Sequence, residues 1–447
     1  MNKREFIKTA SLAIGASVFP LSTWSCKNSD QVLRTAHIGV ANMGLEDLKV
    51  MASHPNVVVS ALCDVDMNAL KVASELFPKA QIFSDYRIMF DQISDQIDAV
   101  VVSTPDHSHA PASLLAMEKN KSVYCQKPLT HYVSESRDMR KIALEKNLVT
   151  QMGIQVHSFY DYKLATLLIQ GGVIGKVSKV IAWSNKNWGD DGPIPVGSDP
   201  IPENLDWNLW LGTSQLRGYK EGVYHPGNWR KIMDYGCATL GDMGVHIFDT
   251  PYNALKLDVP LTIKNQCRPS NGYAYPERNI VHYTFEGTPY TTDRIDWVWY
   301  DGVEGPELTN ELELPNGDVL PDQGAMFIGE NGNRLLLPHF MKLPQLIQGD
   351  SYKDYTIEEY DPEGTLGVPI RDYASESPKH YHEFVDSCLG KSKCSAPFEY
   401  ASKLTETILL GVIAGRFPNQ TLHYNKETSE FEEQDANIYL KGQYRSF

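Results

Sequence analysis

Three residues far apart in the chain have the types that proton transfer at an oxygen requires: Lys127, Asp242 and His246. Lys127 follows a short β-prone stretch, residues 121–126, and is fixed in place by Pro128. A cation tethered at the mouth of a sheet stands where open α/β folds collect their ligands. It can donate to an oxygen, stabilise negative charge developing there, or relay a proton. Asp242, His246 and Asp249 recur at spacings of four and three, so a helix over residues 240–255 places acid, imidazole and acid on one face. Such a face is poorly suited to an aliphatic core. Histidine titrates nearest neutral pH, which makes His246 the base, with Asp242 orienting its ring or a neighbouring hydroxyl.

The elements before Lys127 form a nucleotide-binding pattern. A strand is expected over residues 32–39, and Gly39-Val-Ala-Asn-Met-Gly44 then opens a helix reaching about Ser53. Gly39 allows the tight turn and Gly44 the close packing of helix on strand. The turn Ala41, Asn42, Met43 presents the helix N-terminus to a pyrophosphate. Ala41 stands where the fingerprint has its second glycine, so the motif departs from the pattern there. Residues 56–63 are a continuous apolar run, as in a buried parallel strand, ending at Asp64, 25 residues after Gly39. Asp64 would accept both ribose hydroxyls of an adenosine and repel a 2′-phosphate, favouring NAD over NADP. It could equally cap the next helix, or do both.

The alternation continues with a helix over 67–77, strand 81–83, helix 86–93 and strand 99–103. The loop Thr104-Pro-Asp-His-Ser-His109 then caps a helix over 111–119. After the strand ending at Gln126 and Lys127 come helix 134–146 and strand 148–152. This order predicts a doubly wound α/β domain, an NAD-binding Rossmann unit over 31–153. Thr104, His107, His109 and Gln126 are placed with the cofactor; His107 and His109 would line its nicotinamide side or cap the following helix.

Residues 154–447 are expected to form an α+β domain with a large, mostly antiparallel open sheet, carrying the substrate and the contacts of a homo-oligomer, dimer or tetramer. Its strands are placed at 179–184, 261–266, 280–285 and 290–300, and its helices at 379–389 and 400–416. The Pro-, Gly- and Asp-rich stretches 189–209 and 301–377 are expected as loops and insertions, and residues 421–447 as a surface tail. Aromatic faces stack on sugars while amides and guanidinium groups bond their hydroxyls, which makes Gln155, Trp188, Trp229, Arg230 and Tyr235 the candidate substrate contacts.

On Gly39 to Gly44, Asp64, the Thr104 to His109 loop, Gln126-Lys127-Pro128 and the Asp242/His246 cluster, the chain resembles the glucose-fructose oxidoreductase, inositol dehydrogenase and rhizopine-catabolism family (Gfo/Idh/MocA). The resemblance implies oxidation or reduction of a sugar or polyol hydroxyl with a nicotinamide cofactor. It also implies that Lys127, Asp242 and His246 surround the reacting carbon. The family motif is Glu-Lys-Pro, and here Gln126 replaces the glutamate, removing a charge beside Lys127.

Composition sets outer bounds. The 447 residues suggest two or three domains, and 42% hydrophobic with 22% charged content is globular material. A net charge of −15 excludes nucleic acid or an anionic membrane surface as partner, and a neutral glycoside fits better than a polyanion unless the site is locally basic. The histidines invite a zinc reading, but the cysteines are scattered and no metal is assigned. Residues 1–30 read as an export signal and linker: a basic start, an apolar stretch over 10–21, a twin-arginine-like Lys3-Arg4, and a lipoprotein-like Ser25-Cys26, so that Cys26 would carry the only membrane anchor. A periplasmic or outer-surface location follows, where free NAD is scarce and the cofactor must be tightly bound and reset within each cycle. Sugar oxidoreduction satisfies this. So does an NAD-dependent glycoside hydrolase that uses transient oxidation and elimination. A non-catalytic carbohydrate-binding lipoprotein is the third reading, to which Ala41 and Gln126 lend weight.

Overall fold

A computed structural model of the chain describes residues 31–370 and 372–447; the leader and Cys26 lie outside the described residues. Six strands form the first sheet: β1 (Leu33–Ile38), β2 (Val57–Cys63), β3 (Gln81–Phe83), β4 (Ala99–Val102), β5 (Ser122–Gln126) and β6 (Thr150–Gly153). Their order is β3-β2-β1-β4-β5-β6, and every pair is parallel. The apolar run of β4 is buried at every position, as a strand covered on both faces requires. Helices α1 (Met43–Ala52), α2 (Met67–Leu76), α3 (Tyr86–Ile93), α4 (Asp106–Glu118) and α5 (Val133–Glu145) connect the strands. The order reverses between β1 and β4, and a crevice opens beyond the carboxyl ends of strands at such a point.

Local chemistry sets the helix starts. Asp66, not Asp64, caps α2 by accepting the Asn68 N–H, and Asp85 caps α3 through Arg87 N–H; each such cap is worth about 1 kcal/mol. The loop expected over 104–109 winds instead into the first turns of α4, with Pro111 inside the helix. Pro111 is the sixth residue of α4, past the first turn, so the His107 carbonyl goes without an i+4 N–H donor.

The second sheet has ten strands in the order β14-β13-β12-β11-β7-β10-β9-β8-β15-β16. The central pair, β7 (Val177–Ser184) and β10 (Thr291–Asp301), is parallel. Around it β8 (Thr262–Gln266), β9 (Asn279–Glu286), β11 (Gln323–Gly329), β12 (Arg334–Pro338), β13 (Gln345–Gln348), β14 (Ser351–Lys353), β15 (Thr421–Asn425) and β16 (Glu430–Phe431) pair antiparallel. Strands β11 to β14 correct the expectation that 301–377 is loop, and β15 and β16 join the tail to the sheet. Helices α6 (Tyr160–Gln170) and α7 (Val245–Leu255) pack together, and α7 also meets β7 and β11. Helix α8 (Tyr373–Cys388) returns to pack on α1, and α9 (Phe398–Ala414) packs on α5. One apolar core therefore runs from Ala36 and Val102 through Phe248 and Trp297 to Leu410.

Candidate active site

The crevice at the strand reversal opens into a cleft of about 820 Å³ that takes in both the nucleotide motif and the Lys127 cluster. At its first end Gly39 adopts φ +83°, and a Cβ there would stand 2.6 Å from the Ser103 carbonyl oxygen across the reversal point. A Cβ on Gly44 would stand 2.2 Å from the Gly39 oxygen. Both positions require glycine. Ala41 lines the cleft, and its carbonyl accepts the Gly44 N–H at 2.8 Å, so its methyl group is accommodated. Asn42 and Met43 are exposed at the cleft edge, and no side chain caps α1, which leaves its N-terminus open to an anion.

Asp64 ends β2 in the same cleft, with Oδ2 accepting Val40 N–H at 2.8 Å and Oδ1 accepting Asp66 N–H at 2.9 Å. Burial pushes its carboxyl up, against those two bonds. Each oxygen keeps a lone pair for a ribose hydroxyl. The glycine geometry, open helix terminus and fixed carboxylate together fit a dinucleotide.

At the other end Lys127 Nζ donates to Asp242 Oδ1 and to the Asp242 carbonyl, both at 2.8 Å. Arg230 Nε reaches Asp242 Oδ1 at 3.3 Å, and Trp188 Nε1 donates to Oδ2 at 2.7 Å. Burial raises the Asp242 carboxyl, but Lys127 and Arg230 outweigh it and hold the group well below the usual carboxylate range. Asp242 thus positions Lys127, Arg230 and Trp188. No bond joins it to His246, so of the two expected roles, orienting the imidazole or a neighbouring hydroxyl, the first is not seen. The helix bearing both begins as a π-turn, Leu240–Gly244, before α7.

His246 lines the cleft with its Nδ1 buried and unpartnered, which leaves Nε2 to exchange a proton with a bound molecule. Burial, then Lys127 and His339, push its pKa well below the ordinary value, so the ring is neutral at neutral pH and free to accept a proton. Asp249 leaves this group: its carboxylate takes His157 Nδ1 at 2.9 Å and the Tyr400 hydroxyl at 2.7 Å behind the cleft.

The remaining expected residues divide. Thr104, His109, Gln126, Gln155, Trp188, Trp229 and Arg230 line the cleft. The Arg230 guanidinium lies 4.3 Å from the Trp229 ring centroid, within cation–π range. His109 sets Nδ1 2.8 Å from the Pro128 carbonyl and Nε2 2.8 Å from the Thr104 carbonyl; kept neutral by burial, it donates to one of the two at a time. His107 does not face the cofactor; it is buried with Nε2 bonded to the Trp210 carbonyl and stacks among Trp210 and Tyr235. Tyr235 is no substrate contact either, being fully buried in an aromatic core with Trp207, Trp210 and Tyr224.

Several cleft residues had no place in the expected site, Asp106 and His339 among them. Asp106, the first residue of α4, is buried and pushed up to about 7 by desolvation, against Arg230 and Lys127. It stands inside the quoted Thr104 to His109 motif, so a signal existed. His339 follows β12 and carried none.

Residues 33–154 match the Gfo/Idh/MocA model described as "Oxidoreductase family, NAD-binding Rossmann fold", and residues 163–288 the one described as "Oxidoreductase family, C-terminal alpha/beta domain". Among curated proteins the chain is 30% identical over 149 residues to the inositol 2-dehydrogenase of Rhodococcus jostii, covering 32% of this chain and 40% of that protein. It is 28% identical over 153 residues to the 2,7-anhydro-N-acetylneuraminate hydratase of Escherichia coli, covering 33% and 40%. The chain thus spans less than half the length of the curated relatives it matches. Among solved structures, an oxidoreductase domain protein from Kribbella flavida superposes with a TM-score of 0.62 at 18% identity, covering 88% of this chain and 99% of that one. Levoglucosan dehydrogenase in complex with NADH and L-sorbose gives 0.59 at 17%, covering 86% and 98%. These likenesses establish the fold.

Proposed function

The chain belongs to the Gfo/Idh/MocA oxidoreductase family, and from that premise we propose that it is an NAD-dependent oxidoreductase acting on a secondary hydroxyl of a sugar or glycoside, with the cofactor retained between turnovers. The observation that carries this reading is the single cleft holding a dinucleotide cradle at one end and the Lys127–Asp242 pair beside a neutral His246 at the other.

Gly39, Gly44 and the α1 N-terminus would hold the diphosphate, and Asp64 the adenosine ribose. When bound, NAD supplies the hydride acceptor. Lys127 Nζ, aimed by Asp242, donates to the hydroxyl oxygen and stabilises the charge that develops as the C–H bond weakens. His246 accepts the hydroxyl proton at Nε2, and the carbinol becomes a ketone. In the reverse direction His246 returns that proton to the alkoxide.

Retention is supported by a strap over the cofactor domain. Leu205 bridges to Asp66, Asn204 Nδ2 donates to Asp66 Oδ1 at 2.7 Å, and His225 Nε2 lies 3.2 Å from Asp66 Oδ2, all just beyond Asp64. The export reading of residues 1–30, with Cys26 as lipid carrier, makes such retention useful. A second reading, hydrolysis of a glycosidic bond through transient oxidation, draws on Asp106: held up to about 7, it is a proton donor for a leaving oxygen.

The test is to denature freshly isolated protein and assay released NAD by chromatography, then to follow nicotinamide absorbance and aglycone release with aryl glycosides. Absorbance change without aglycone release is expected. Absence of both released and added NAD binding would overturn the reading, and coupled aglycone release would replace it with the hydrolase.

A further inference from the structure

Around Lys127 and His246 the cleft wall is completed by Lys186, His339, Phe340 and Tyr373. His339 Nδ1 is hydrogen-bonded to the Tyr162 hydroxyl. Burial keeps that phenol protonated, far above its ordinary range, and His339 is its one hydrogen-bond partner among the described residues. With the phenol protonated and His339 its partner, the arrangement that satisfies both groups has Tyr162 donating to Nδ1. The imidazole, held neutral by burial and pushed down to about 4, therefore carries its own proton on Nε2 and presents an N–H to the cleft.

Lys186 follows the end of β7 at the cleft rim. It is exposed and makes no ion pair among the described residues. Its charge is close enough to act on both His246 and His339.

No carboxylate stands on this wall. The acids of the cleft are Asp64, Asp106 and Asp242. Asp64 stands at the ribose end, Asp106 is buried against Arg230 and Lys127, and Asp242 is tied to Lys127, Arg230 and Trp188. Sugar hydroxyls donate as well as accept, so a wall that recognises them supplies acceptors along with donors. The Lys186 ammonium and the His339 N–H are both donors, and that pair suits a group that only accepts. Against the chain's net charge of −15, the part of the cleft around His246 and His339 carries two ammonium groups, Lys127 paired with Asp242 and Lys186 without an ion-pair partner among the described residues.

We propose that Lys186 and His339 form a subsite for a carboxylate on the sugar, so that the substrate is a uronic acid or related sugar acid. This rests on the sugar-oxidoreductase reading and names the substrate class of that same cleft.

The test is calorimetric binding of methyl glycosides of glucuronic, galacturonic and mannuronic acid to the NAD-loaded protein, each against its neutral counterpart, with glucose 6-phosphate as a second anion. At least one uronate is expected to bind about tenfold more tightly than its neutral partner at low salt, the advantage shrinking as ionic strength rises. Lys186→Gln should bring that uronate to the neutral sugar's affinity, while Lys186→Arg keeps the preference. If no uronate exceeds its neutral partner, or if Lys186→Gln leaves the preference intact, the subsite does not exist. If glucose 6-phosphate binds more tightly than every uronate, the carboxylate assignment is wrong. Binding is read whether or not turnover follows, so a lack of NADH formation with every sugar would count against the oxidoreductase reading alone.

Discussion

Gln126 Nε2 donates to both carboxylate oxygens of Asp47, at 3.0 and 2.9 Å, in a buried site beside Lys127. Tyr381 of α8 and Ser103 at the end of β4 each donate to the same carboxylate at 2.6 Å. Gln126 Oε1 in turn accepts Lys127 N–H at 3.3 Å. The helix that begins at the phosphate cradle, the lysine strand and the C-terminal domain thus meet at one acid. The charge absent from position 126 is present at position 47.

This pairing predicts that Gln126→Glu, although it restores the family's Glu-Lys-Pro, harms the protein. Burial already pushes Asp47 up to about 6, so in the native protein its contribution to stability is present at low pH and declines as pH rises through 6. A second carboxyl at the same distance would share one proton with it, and that proton must leave as pH rises. The unfolded chain has lost both protons by pH 5. Destabilisation should therefore grow from pH 5 to pH 8, by about 2 kcal/mol, as read by urea unfolding at the two pH values. Equal loss at both would show that Asp47 does not oppose the new acid.

The Lys127–Asp242 pair and the neutral His246 predict separable losses. Lys127→Ala and His246→Ala should each lower kcat by about 10²- to 10³-fold, since one removes the charge-stabilising donor and the other the base. NAD affinity, measured by fluorescence titration, should stay within about threefold because the dinucleotide is held from Gly39, Gly44 and Asp64. Retained kcat in either variant would remove that residue from the reaction.

How far the chain was readable follows from what each signal encodes. β2 and β4 are apolar runs between turn residues, so the strands of the Rossmann half were legible to within a residue or two, while the helix expected over 111–119 begins five residues earlier, at Asp106. β11 to β14 were not: they are short, joined by tight turns such as that at Gly332, and lie in a Pro- and Gly-rich stretch whose composition reads as loop. His339 was lost with them. Spacing brought Asp242 and His246 into one site. It could not show that Asp249 turns to His157, nor that residues 205–235 fold into an aromatic core that takes His107 and Tyr235 from the cleft. Facing is a property of packing, and a single helix period does not contain it.

Asp64 should set cofactor choice. Its two oxygens are fixed by Val40 and Asp66 N–H groups, so the carboxylate cannot swing away from a ribose, and it would oppose a 2′-phosphate. Asp64→Ser should weaken NAD binding by about tenfold and bring NADP to within about threefold of NAD. Fluorescence titration with both dinucleotides checks this, with thermal unfolding to confirm that the variant is folded. An unchanged preference would place discrimination elsewhere.

The strap predicts a kinetic effect. Asn204 and His225 both hold Asp66, two residues beyond Asp64, and Met67 N–H donates to the Asn204 carbonyl at 2.8 Å. With the adenosine against Asp64 as proposed, these bonds would stand beside its exit, while none of them reaches Lys127 or His246. Removing side-chain bonds at the rim of a ligand changes its release more than its capture. Asn204→Ala combined with His225→Ala should therefore speed NADH dissociation about tenfold, with association changed by no more than about twofold, as measured by stopped-flow displacement. Single-turnover oxidation with saturating NAD should stay at the native rate, because the reacting end is untouched. If dissociation is unchanged, residues 199–235 are a scaffold for the aromatic core, and cofactor retention must come from the cradle itself.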